Sequence, residues 1–241
     1  MAGNVVRPGV LAAVPGAALA AVFGTVAVLR HGKPLHPDGR IGAGHLVIIP
    51  DGTSGCELLD EAADLDCLVR ASYAMGTGPE APDIEGFALR LLPGSRLAAP
   101  ADVLFASTGS GRVGRYVLRV RRPGHHATQT TLLPIEASGH PLLLRLRPRS
   151  RGPGWPADYD LEWAHGTGPW HRCGRLTVDW ADGTDEPIRF DPIANQLPGT
   201  REFAWVRWLR EPAYFAARLM SPQSGRLPTG ATPDSVGSEQ R

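Results

Sequence analysis

The stretch Cys67-Leu-Val-Arg70-Ala-Ser72-Tyr73-Ala-Met-Gly-Thr-Gly-Pro-Glu-Ala-Pro-Asp83-Ile-Glu85-Gly86-Phe87-Ala-Leu-Arg90-Leu-Leu-Pro-Gly-Ser-Arg-Leu-Ala-Ala-Pro-Ala-Asp102-Val-Leu-Phe-Ala106-Ser107 decides the fold. It holds three short apolar runs, 68–73, 86–92 and 103–106, separated by Gly/Pro turns, which is the pattern of consecutive strands joined by tight connections. Arg70 and Arg90 sit inside two of those runs. A buried guanidinium without an anion is costly, so each must reach the outer face of a sheet or meet a carboxylate.

Working outward, the pattern continues. His45–Ile49 reads as an earlier strand behind a His36-Pro-Asp-Gly39 turn, and Glu57–Leu65 as a short acidic helix. Downstream, Leu142–Arg147, Tyr159–Trp163 and Arg175–Trp180 alternate, the last turning at Ala181-Asp182-Gly183 into Ile188–Phe190. Gly109, Gly111 and Gly114 spell G-x-G-x-x-G. Strand-like alternation over Arg115–Arg122 follows instead of a helix, so a hairpin loop is expected in place of a dinucleotide site. Helices are expected over Arg201–Leu209 and Pro212–Met220, with Trp205, Trp208 and Phe215 packing on the sheet. Eight or nine strands of hairpin order predict an α+β, mainly β chain: an antiparallel β-barrel with flanking N- and C-terminal helices. The expected organisation is a helix in 1–33 packed on the barrel, the barrel domain with its C-terminal helices in 34–220, and a disordered Pro/Gly/Ser-rich tail in 221–241.

Composition narrows the function. With 241 residues and a net charge of +1, the chain lacks the cationic excess of a nucleic-acid binder, and a membrane partner is not expected. Residues 8–29 are uncharged but Ala/Gly-rich, with Pro15 near the start; a docked helix is favoured there over an anchor or signal segment. Three cysteines, Cys56, Cys67 and Cys173, have no paired spacing, which favours buried thiols in a reducing, cytoplasmic compartment. His171 and Cys173 near His165 lack finger spacing, so no metal site is expected. His125 and His126 lie in a polar loop and are expected to be solvated. The acids at 179–186 read as turn chemistry, there is no nucleophile elbow, and oligomeric state is left open.

Several motifs, in order, resemble the haem catalases. Arg70-Ala-Ser72 followed by Asp83-Ile-Glu-Gly86-Phe87-Ala-Leu-Arg90 is similar to the V-R-F-S and D-x-R-G-F-A-x-K strands of that family. His36-Pro-Asp-Gly39-Arg-Ile-Gly42-Ala-Gly44 resembles the segment that carries its distal histidine. Asp102-Val-Leu resembles W-D-L-x-x-N-N-T-P, and Phe190-Asp191 with Leu209-Arg-Glu-Pro-Ala-Tyr214-Phe215 resembles F-D…L-N-R-N-P-x-N-Y-F. The resemblance covers about Pro34–Arg218 and implies a haem cofactor and a peroxide or organic hydroperoxide as substrate. It makes His36 the distal acid–base, Ser72 its hydrogen-bonding neighbour and Arg70 the partner of a haem propionate.

Two departures accompany it. The family's distal asparagine falls at Ala106 or Ser107, and no tyrosine follows Met220, where a proximal helix would carry the axial ligand. Tyr214, with Arg210 and Arg218 on the same helical face, is the candidate that remains. The alternative expectation is a haem-free barrel of the same kind that binds a small apolar ligand or serves as an interaction module.

Overall fold

The computed structural model describes residues 38–74, 81–122, 125–150, 152, 154–180 and 188–208. The expected N-terminal helix, the helix over Pro212–Met220 and the 221–241 tail lie outside these residues, as do His36 and Tyr214.

Ten strands follow in chain order: β1 Asp38–Ile48, β2 Ala63–Tyr73, β3 Glu85–Leu91, β4 Ala101–Ser107, β5 Gln129–Thr130, β6 Ile135–Ala137, β7 His140–Pro148, β8 Asp158–His165, β9 His171–Trp180 and β10 Thr200–Glu202. All pairings are antiparallel. The order β7-β5-β4-β3-β2-β1-β9-β8 closes on itself through β7–β8, an eight-stranded barrel, while β6 and β10 extend beside β7. Along β2, Leu65, Cys67, Val69, Ala71 and Tyr73 point inward, and Asp64, Asp66, Leu68, Arg70 and Ser72 point outward. The same period fills the interior from the other strands with Leu46, Phe87, Leu89, Phe105, Leu144, Leu146, Tyr159, Leu161 and Leu176. A barrel of this strand number has room only for its own side chains, and here they occupy it. Gly44 shows how tight the fit is: a Cβ there would lie 2.7 Å from the Cys67 sulfur. Cys56, Cys67 and Cys173 are buried and free, and burial pushes their thiols up to about 11, 12 and 12.

Several local expectations are corrected. β1 begins at Asp38, so Asp38-Gly39 belongs to the strand rather than to a turn. The acidic helix is one turn, α1 Glu57–Asp60, because Asp60 turns its carboxylate back to the amides of Ser54 and Gly55, at 2.7 and 3.0 Å. Arg115–Arg122 forms no strand: a 3-10 turn spans Gly114–Tyr116, and only the bridges Thr108–Leu118 and Asp83–Arg121 follow. Tyr116 leaves the alternation to pack with Leu133, Leu143 and Val206. Residues 200–202 are strand before a helical turn at 204–208, and Trp208 is 69 % exposed instead of packed.

Ile188–Phe190 is not a strand either; it is held by side chains. Arg90 and Asp102, opposite each other on the outer face of β3 and β4, form a two-bonded ion pair, Nε–Oδ1 and Nη2–Oδ2 both 2.7 Å. The Asp102 Oδ2 also accepts the Asp191 amide and the Asn195 side-chain amide, each at 2.7 Å. Arg90 donates to the Arg189 carbonyl at 2.6 Å and lies over the Phe190 ring. One ion pair thus ties the 189–195 segment to the wall. Breaking a buried pair leaves an uncompensated charge. Asp102→Ala is therefore expected to cost about 3–5 kcal/mol of unfolding free energy in urea; a loss below about 1 kcal/mol, the scale of a surface pair, would contradict this role.

Candidate functional site

Strand register assembles one wall from four strands. Gly39 of β1 faces Ser72 of β2, Ser72 faces Gly86 of β3, and Gly86 faces Ala106 of β4. Since facing residues share a face, these four form an outer row of minimal side chains. The next row runs Ile41, Arg70, Ala88 and Leu104. Arg70 and Ser72 are therefore neighbours on the same outward face. The Arg70 guanidinium lies across Gly39: a Cβ on that glycine would be 2.6 Å from its central carbon. Any other residue at 39 would push Arg70 off β1.

Arg70 thus answers the question its sequence position raises: it faces outward, on the barrel's outer wall. A planar anionic macrocycle needs a flat surface and a cation at its edge; the row Gly39–Ser72–Gly86–Ala106 beside Arg70 supplies small side chains and a cation, with Ser72 and Gly86 buried at its centre. The filled interior does not fit such a group. The concavity bounded by Asp102, Leu104, Ile135, Pro192, Leu197 and Glu202, about 30 Å³ in volume, has room for about two waters.

Register also decides between Ala106 and Ser107. Phe105 and Ser107 point inward, and the Ser107 hydroxyl donates to the Arg119 carbonyl at 2.7 Å and accepts the Glu85 amide at 3.0 Å. Ala106 occupies the wall. A methyl group stands where the resemblance implies a polar amide.

The inner end of the same strands carries a polar cluster that sequence reading missed. Glu85, fully buried, meets His126 Nδ1 at 2.7 Å and Arg121 Nε at 3.2 Å and accepts the Ala127 amide at 3.1 Å. His126 is thus buried rather than solvated, with its Nε2 2.8 Å from the Gly154 carbonyl. Aromatic rings seal this end: Trp155 stacks on Tyr73 at 5.0 Å and reaches Trp180 at 6.1 Å, and Phe87 packs edge-on against Tyr159. The Tyr159 hydroxyl and Gln129 Oε1 are buried without a hydrogen-bond partner among the described residues. Glu85 sits forty-one residues from His126, so only the closed barrel brings them together.

The tyrosines can be sorted by environment. Burial raises Tyr73 and, with the neighbouring Glu85 and Tyr73 charges, raises Tyr159 well above the ordinary phenol range; burial pushes Tyr116 up to about 12. Tyr73 and Tyr159 line the inner end, and Tyr116 lies in its own apolar cluster. All three lie away from the outer row of Gly39, Ser72, Gly86 and Ala106. Elsewhere, His171 stacks on Trp163 at 4.4 Å, and no group of three metal-binding side chains occurs among the described residues.

Comparison with solved structures matches this architecture to a bacterial catalase. The TM-score is 0.50 with 12 % sequence identity, over 98 % of this chain and 69 % of that one. At that identity the likeness concerns the fold: the protein has a catalase-like β-barrel. No protein-family model and no curated protein matches the sequence.

The three raised phenols bear on stability at high pH. A group whose folded pKa exceeds its unfolded value of 10 stabilises fully below pH 10 and loses that contribution as pH rises through the folded value. Absorbance titration at 295 nm is expected to show at most two of the four tyrosines ionising in the folded protein, with Tyr116 and Tyr159 ionising only with unfolding towards pH 12. Three or more phenols titrating reversibly near pH 10 in folded protein would contradict these environments.

Proposed function

We propose that the protein binds haem on the outer wall of β1–β4 and acts as an oxidoreductase on a peroxide, with organic hydroperoxides as the favoured substrate class. One observation carries this reading: Arg70 and Ser72 share an outward face, Ser72 in a four-strand row of side chains no larger than serine and Arg70 in the row beside it. The small row leaves room for the face of a flat ring, and the guanidinium across Gly39 would pair with a carboxylate at the ring's edge. The reading also draws on the catalase-like fold and on the ordered motifs of the sequence.

The roles of the protein groups follow from their chemistry. Arg70 anchors a propionate through paired N–H donors. His36, two residues before β1, takes a proton from one peroxide oxygen and returns it to the other, with Ser72 as its hydrogen-bonding neighbour. Tyr214 is the residue that would hold the haem iron as a phenolate. Haem, when bound, supplies the redox chemistry of O–O cleavage. Ala106 brings a methyl group instead of a hydrogen-bond donor to the peroxide side. That weakens orientation of hydrogen peroxide and leaves space for an alkyl substituent.

The same methyl supports a second reading, a haem-free barrel whose wall holds a small apolar molecule. A haem titration separates the two. The proposal expects a saturable Soret band with the parent protein, shifted or lost in Tyr214→Phe and weakened about tenfold in affinity in Arg70→Ala, as for loss of one charge-assisted contact. His36→Ala should keep the band and lose turnover of cumene hydroperoxide. Absence of a Soret band in the parent protein would overturn the proposal in favour of the second reading.

A further inference from the structure

Just after β4, the glycine-rich loop that resembles a nucleotide motif holds a different arrangement. Gly109 donates its amide to the Gly114 carbonyl at 3.0 Å, closing the loop on itself. The closed loop lies against the β8–β9 turn. Arg112 Nε donates to the Thr167 carbonyl at 3.2 Å, Arg115 Nη1 to the Gly166 carbonyl at 3.0 Å, and Trp170 Nε1 to the Ser110 carbonyl at 3.3 Å. The Arg115 and Arg145 guanidiniums both lie against the Trp170 ring, 4.2 and 4.3 Å from its centre.

Charge at this spot does not balance. Arg145 is paired with Glu162, which also faces Arg147 Nε at 3.5 Å. Arg115 is 2 % exposed, yet its contacts among the described residues are two backbone carbonyls, of Gly111 and Gly166, and the Trp170 ring; no carboxylate reaches it. Its guanidinium is destabilised by burial and by the neighbouring Arg145 and Arg112 cations. No Asp or Glu occurs between Asp102 and Glu136, so the loop supplies only cations. A buried cation left without an anion is costly, and a site that keeps one gains when an anion arrives.

We propose that Arg112 and Arg115, presented by the 109–114 loop beside Trp170, form a binding site for a small oxyanion, the phosphate or carboxylate group of a metabolite. Both arginines retain N–H donors that no acceptor among the described residues occupies, and a guanidinium fork matches the paired oxygens of either group. Trp170 shields the contact from water on one side. The site does not depend on haem: its contacts are with the 109–114 loop itself and the β8–β9 turn.

The test is binding of inorganic phosphate, and separately of acetate, followed by tryptophan emission and thermal unfolding against sodium chloride at equal ionic strength. The expected result is a saturable emission change and a raised Tm with phosphate, and none with chloride. A matching response to acetate extends the site to carboxylates. Arg112→Gln, at an exposed position, should raise the apparent Kd about tenfold, the loss of one charged contact. Arg115→Gln should abolish the response where circular dichroism shows it folded; where it does not fold, Arg112→Gln decides. Equal responses to chloride and phosphate, or phosphate binding unchanged in Arg112→Gln, would overturn the proposal.

Discussion

The Arg90–Asp102 ion pair is the constraint on which the outer surface depends. It sits between two adjacent strands, and its carboxylate also holds the Asp191 amide and the Asn195 side chain. An ion pair between outward residues of a barrel would ordinarily be solvated and worth little. Here the crossing segment buries it, and the pair in turn fixes where that segment lies. The 189–195 segment is held against the Arg90–Asp102 level of β3 and β4, while the rows of Ser72 and Arg70 lie further along the same strands. The available wall is thus defined by what the clasp covers.

The barrel interior is filled by side chains. Eight strands leave space only for side chains, and Leu, Val and Phe residues fill it at one end. At the other end the filling is polar, with Glu85, Arg121 and His126 closed under Tyr73, Trp155 and Trp180. Such a network favours a single closure of the barrel, since each partner is left unsatisfied in any other register. Two outer features differ in character: small residues beside one arginine on β1–β4, and an arginine-bearing loop after β4 that lies against the β8–β9 turn.

Much of this was legible in the chain. Period-two alternation located the strands in the 67–107 stretch, and the odd arginines within them predicted an outer face or a carboxylate partner; Arg90 has both. Arg70 and Ser72, two apart on a strand, had to share a face. What escaped reading was whatever needed the partner strand. Ala106 and Ser107 were indistinguishable until register put Phe105 inside. Asp38-Gly39 carries turn chemistry, yet pairing with Ser72 and Tyr73 makes it strand. His126 looked solvated because its partner Glu85 is supplied by a distant strand. The alternation after Gly114 was genuine, but Tyr116 found a second apolar cluster and took the segment out of the sheet.

The proposal places haem on the outer wall of β1–β4 and not in the barrel interior. Ala106→Trp tests it most directly, because an indole at that row would stand on the wall without entering the core. Haem titration of this variant, followed at the Soret band alongside its urea midpoint, should show affinity reduced at least about tenfold, the loss of roughly 1.4 kcal/mol of contact, with stability unchanged. Affinity equal to that of the parent protein, in a variant of equal stability, would contradict the account.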